Sequence, residues 1–135
     1  MSYKIDEIEG IGPSYREKLS SAGITTTDHL LDQCAAPQGR KTVAEKTGVS
    51  EKNLLGWTNM ADLMRVNGVG RQYAELLEAS GVDTIKELRN RNAENLTTKI
   101  EEVNAEKNLA NATPAAKTVA NWIEQAKTTE PKITY

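Results

Sequence analysis

A Gly–apolar–Gly turn that occurs twice in register constrains this chain more than any other feature. Ile8-Glu9-Gly10-Ile11-Gly12 recurs as Val66-Asn67-Gly68-Val69-Gly70, an offset of 58 residues. The same offset pairs Ile5 with Leu63, Tyr15 with Tyr73, Glu17 with Glu75 and Leu19 with Leu77. It goes on to pair Gly23 with Gly81, Ile24 with Val82, Thr26 with Thr84 and Leu30 with Leu88. Glycines, apolar positions and a tyrosine kept in step over about 25 residues mark a duplicated unit. Two related halves are expected, 1–63 and 64–135, forming one compact unit with an extended C-terminal tail. Looser matches continue the pattern. Glu51-Lys52-Asn53-Leu54 recurs as Glu106-Lys107-Asn108-Leu109 at an offset of 55, and Trp57 and Trp122 hold comparable late positions.

Nearly all of the chain carries helical signals. Pro13 suits a first helical position, where a missing N–H costs nothing. That helix runs through Tyr15 and Leu19 and ends at Gly23; Tyr73, Leu76 and Leu77 precede Gly81 in the same way. Asp83, and Thr25 in the first half, are expected to cap the next helices. Ser50 is expected to cap a helix carrying Leu54, Trp57 and Met60. Thr113-Pro114 reads as the start of the last helix, whose Val119, Trp122, Ile123 and Ala126 form an apolar stripe at i, i+3, i+4, i+7. Thr47-Gly48-Val49-Ser50 and Glu102-Val103-Asn104-Ala105 are read as degenerate, structural turns within each half. No segment alternates long enough to make a strand. The expected class is all-α.

Composition narrows the chemistry. The 135 residues include one Cys and one His, which excludes a disulfide framework and a Cys- or His-cluster metal site. No apolar run approaches a membrane span, and Met1 to Glu7 lacks a signal-peptide stretch, so a cytoplasmic protein is expected. With no Phe, the core rests on aliphatic residues, anchored by Trp57 and Trp122. The 17 basic against 19 acidic residues exclude whole-surface binding of nucleic acid and leave only local contact.

The repeated turn supplies a place for that contact. Two glycines around one apolar residue permit a tight hairpin and leave backbone N–H groups bare at the start of the next helix. Such a cradle suits a phosphate, which conveys position rather than base sequence. The candidate residues are Arg65, Gly68, Val69, Gly70, Arg71 and Gln72 in the second half, and Gly10, Ile11, Gly12 and Ser14 in the first. The second turn is the better candidate. Residues 1–31 hold three basic and five acidic groups, whereas residues 64–92 hold five basic and four acidic. With few phosphates neutralised, binding is expected to be weak and salt-sensitive.

This unit, apolar–x–x–apolar–x–Gly–apolar–Gly before a helix, resembles the helix-hairpin-helix motif of DNA-binding proteins. The resemblance implies a tandem, SAM-like helix-hairpin-helix bundle of two pseudo-repeats. The chain departs from the motif where a Lys is frequent, at Ser14 and Gln72; of the positions where a small residue is usual, Ala74 fits and Arg16 does not. Nearly the whole chain is similar to a bacterial family, domain-of-unknown-function family 4332. The similarity runs through Ile8 to Pro13, Ala44 to Ser50, Trp57 to Leu63, Gly68 to Gly70, Gly81 to Thr84, Trp122 to Lys127 and the tail ending at Tyr135. It implies DNA binding, and the family's members are sometimes labelled flap-endonuclease-like 5′ nucleases. No activity is expected from that label. Such hydrolysis needs clustered carboxylates around divalent metals, and here acidic residues are scattered; no cofactor is implied. The alternative expectation is a protein-interaction or self-assembly module on the same scaffold.

Overall fold

The structure, a computed structural model, describes residues 2–135. A single 3-10 turn, Ile5–Glu7, opens the chain. Helices α1 (Pro13–Ser21), α2 (Thr27–Cys34), α3 (Pro37–Thr47) and α4 (Glu51–Leu63) follow. Helices α5 (Arg71–Ala79), α6 (Ile85–Leu88), α7 (Ala93–Lys107) and α8 (Ala116–Thr128) complete it. Among the described residues the fold is all-α, with one isolated antiparallel bridge between Lys4 and Thr26.

The packing runs in parallel through the two halves. Helix α1 packs on α3 as α5 packs on α7; α2 packs on α4 as α6 packs on α8; and α3 meets α4 as α7 meets α8. Helix α4 also packs against α5, so one helix closes the first half and leads into the second turn. The apolar stripes converge on one core that takes Leu19, Leu30, Leu54 and Leu63 from the first half and Leu77, Leu88, Trp122 and Ile123 from the second.

Two backbone devices differ between the halves. In the first, the N–H of Thr27 donates to the carbonyl of Tyr3 at 2.9 Å. The corresponding N–H in the second is that of Ile85, which donates to the buried carboxylate of Asp62 at 2.8 Å. The other oxygen of Asp62 accepts from Arg65 at 2.8 Å. A side chain of α4 therefore replaces the extended N-terminal segment.

The C-terminal tail is extended and returns to the first half. Arg89 holds its root through the carbonyls of Ala126 and Thr129, at 3.0 and 2.7 Å. At its end, Thr134 donates to the carbonyl of Ala35 and accepts from Arg40, both at 2.8 Å. Arg40 is buried, and its guanidinium is met by three backbone carbonyls, those of Cys34, Ala35 and Thr134. Between these clamps the tail borders a cleft of about 230 Å³ beside Asp62, Thr84 and Lys86.

Several local expectations are corrected. The caps of α2 and α6 are Thr26 and Thr84, one residue beyond Thr25 and Asp83. The bridge explains the shift in the first half: the carbonyl of Thr25 accepts from Ile5, which holds residue 25 outside the helix. The last helix starts at Ala116 rather than Pro114, because Pro114 is packed inward and Ala115 is still extended. Glu102 to Ala105 make no turn. Leu96, Ile100 and Val103 keep a buried helical stripe, and α7 continues to Lys107. The turn that answers Gly48 (φ 77°) is Asn108 (φ 53°), and in each the cap N–H donates to the carbonyl four residues back. Glu51 to Leu54 therefore open α4 while Glu106 to Leu109 close α7, and the two are not equivalent.

Arg40 lies beside Cys34 and donates to its carbonyl at 3.0 Å. Burial nevertheless pushes its thiol up to about 11, against the Arg40 charge and a hydrogen bond with Thr58. The thiol should be inert to a disulfide reagent at neutral pH until the chain unfolds, a reaction followed by absorbance. Its folded pKa lies above the ordinary 9.0, so deprotonation favours the unfolded chain. Stability should fall as pH rises above about 9, and a Cys34→Ala variant should show less of that fall. Asp62→Ala strands both the Ile85 N–H and Arg65, and should lower the unfolding free energy by about 2–4 kcal/mol in a urea titration.

Candidate functional site

The two glycine turns have the same hydrogen bonds at the same offset. Ile8 donates to the carbonyl of Ile5 and Ile11 to that of Ile8, at 3.3 and 3.2 Å. Val66 donates to Leu63 and Val69 to Val66, both at 3.1 Å. The following helix begins identically, with Arg16 donating to Gly12 at 2.9 Å and Ala74 to Gly70 at 2.8 Å.

Within each turn the two glycines do different work. Gly10 and Gly68 have φ of 99° and 97°, a region that side chains rarely adopt. A Cβ at Gly10 would stand 3.2 Å from Nε1 of Trp57, and one at Gly68 would stand 3.1 Å from Nε1 of Trp122. Tyr15 meets Trp57 edge to face with ring centroids 4.9 Å apart, and Tyr73 meets Trp122 at 5.3 Å. The first glycine is therefore required by backbone conformation and by an indole packed against it.

Neither reason applies to the second glycine. Gly12 and Gly70 have φ of −90° and −99°, open to any residue, and a Cβ on either would meet no heavy atom within 4 Å. Both are N-caps without a side chain to accept from the helix, as are Ala36 at α3 and Ala115 at α8, whereas Thr26, Ser50, Thr84 and Asn92 do accept at α2, α4, α6 and α7. First-turn N–H groups have no upstream carbonyl to reach. At α5 these belong to Arg71, Gln72 and Tyr73; at α1 only Ser14 and Tyr15 contribute, because Pro13 has no N–H.

The predicted residues separate on this geometry. Gly10, Gly12, Ser14, Gly68 and Gln72 are exposed, and Gly70 is half-buried. Ile11 and Val69 are buried and their N–H groups already serve the turn, which removes them as donors to a ligand. Arg65 is committed to the buried Asp62. Arg71 reaches across to the first turn, where Oε2 of Glu9 lies 2.6 Å from its Nε. Asp6, which has no evident partner in the sequence, pairs with Arg16 at 3.3 Å. Burial raises the Glu75 carboxyl; Glu9 adds to that and Arg71 opposes it.

Composition and local spacing do not disclose two of these contacts. One is the Glu9–Arg71 pair, between residues 62 apart. The other is Gln125, whose amide accepts from the N–H of Asn67 at 2.9 Å and donates to its carbonyl at 3.2 Å. A glutamine three residues after Trp122, on the same face of α8, is the one signal that could have pointed to it.

Residues 9–129 match the family described as Domain of unknown function (DUF4332). The chain belongs to that family. No curated protein and no solved structure matches it. Among the described residues of this DUF4332 chain, no three His, Cys, Asp or Glu side chains gather to hold a metal ion. No described helix is long and apolar enough to cross a membrane.

The unequal glycines give a direct test. Gly68→Ala meets both a positive φ and the Trp122 indole, and should cost about 1–3 kcal/mol in chemical unfolding. Gly70→Ala should stay within about 1 kcal/mol of the parent.

Proposed function

We propose that this DUF4332 chain is a non-catalytic module that holds DNA by its phosphates without reading base sequence, inside the cell. In this reading the two turns are a tandem pair of helix-hairpin-helix units. The observation that carries it is the pair of glycines at Gly12 and Gly70. Neither conformation nor packing asks for glycine there, and both sit where bare first-turn N–H groups emerge at a positive helix end. A ligand that must approach the backbone closely, and that is anionic, accounts for a missing side chain at this place.

The α5 turn is the principal contact. It offers three first-turn N–H groups to the two of α1, carries Arg71 at its first position, and is braced by both Trp122 and Gln125. Because Arg65 faces Asp62, backbone dipoles rather than net charge supply most of the attraction. Such a site suits few phosphates per molecule, hence weak and salt-dependent binding.

The test is fluorescence anisotropy with duplex and branched oligonucleotides at low salt. The parent should bind each regardless of sequence, with affinity falling as salt rises, by a log–log slope of about −2 if two phosphates are neutralised. Gly12→Val with Gly70→Val should weaken binding by roughly tenfold or more, the loss of about 1.4 kcal/mol, while circular dichroism shows the helical fold retained. A parent protein that binds no DNA structure at low salt overturns the reading.

A further inference from the structure

The two repeated turns are joined by a carboxylate resting on an arginine. Glu9 of the first turn places Oε2 2.6 Å from Nε of Arg71, the first residue of α5. Burial does not hold the pair together: the two side chains are 43% and 50% exposed. An exposed pair of this kind adds little to folding, so its position matters more than its strength.

The halves differ at this point. Glu9 corresponds to Asn67, whose backbone is clamped by the Gln125 amide. In the first half, counting from the tryptophans, Met60 stands where Gln125 stands, and its side chain has no amide to make the same clamp. The carboxylate of Glu9 instead crosses to the other turn. There it lies near Glu75, one helical turn along α5 from Arg71. A guanidinium takes a carboxylate or a phosphate through the same kind of charge-assisted hydrogen bond, so the two compete for Arg71.

We infer that Glu9 is an internal competitor for the phosphate at the α5 turn, an anion of the chain itself that the nucleic-acid backbone must displace from Arg71. The inference rests on the phosphate-binding reading above and names its regulation: the acidic turn of the first half sets how tightly the second half binds. Displacement is cheap because the pair is exposed, and the freed carboxylate then repels the incoming phosphate.

The experiment compares Glu9→Gln, Arg71→Ala and their combination on the full chain, with a duplex oligonucleotide at low salt. Glu45→Gln on α3 removes the same unit of charge without touching Arg71. Glu9→Gln should tighten binding roughly three- to fivefold, within the range of an exposed ion pair. Glu45→Gln should have a smaller effect, and the gain from Glu9→Gln should shrink to that level in the Arg71→Ala background. Binding by Glu9→Gln where the parent shows none supports the inference most strongly. Equal gains from Glu9→Gln and Glu45→Gln, or a gain that survives Arg71→Ala, overturn it while leaving phosphate binding in place. Absence of binding by parent and variant alike overturns both.

Discussion

The contact between an indole and a positive-φ glycine organises each half of this protein. Trp57 and Trp122 come from the last helix of their halves and pack against the first glycine of the turn that opened it. The tyrosine of the following helix closes on the same indole. One ring thus fixes the turn, the helix after it and the helix that ends the half. The chain has no Phe and only two Trp, so no other side chain of that size is available. A buried indole of this kind contributes on the order of 5 kcal/mol through the apolar area it removes from water. The glycine is what lets the ring come that close.

Once the turn is held, the second glycine is free of the packing and the backbone strain that fix the first, and serves only as an N-cap. That division of labour leaves Gly12 and Gly70 as bare caps beside the tyrosine–tryptophan supports. Rigid support behind an open backbone is what a phosphate contact needs, because the donors must already point the right way when the ligand arrives. The halves then diverge. The second has its turn clamped by Gln125 and its α6 amide caught by Asp62, both from its own or a neighbouring helix. The first relies on the extended segment around Tyr3 and sends Glu9 across to Arg71. The two halves share helix packing and turn geometry, and a few positions make their turns unequal.

Much of this was legible in the sequence. The glycine register, the ends of α1 and α5, the Ser50 cap and the burial of both tryptophans follow from local rules of spacing and propensity. The errors also have local causes. Thr25 and Asp83 are reasonable caps by type, and Thr26 and Thr84 serve instead. In the first half, pairing of Thr25 with Ile5 delays the helix by one residue. The offset of 55 placed a turn near Val103, but the apolar stripe carried the helix on until Asn108 could adopt the left-handed conformation.

Charge is where sequence reading and structure part. The sequence by itself determined an all-helical chain with a duplicated glycine turn, because glycine, proline and apolar spacing act over a few residues and hold wherever they occur. It also determined that any anion contact would be local, since basic and acidic residues nearly cancel. Only the tertiary structure decided which charges remain available. Arg65 faces Asp62 and Arg71 faces Glu9. Ion pairs depend on distances of a few ångströms, here between residues 62 positions apart, and no local spacing encodes them. The sequence could therefore place the two glycine turns, while the fold alone revealed the carboxylate of Glu9 beside Arg71.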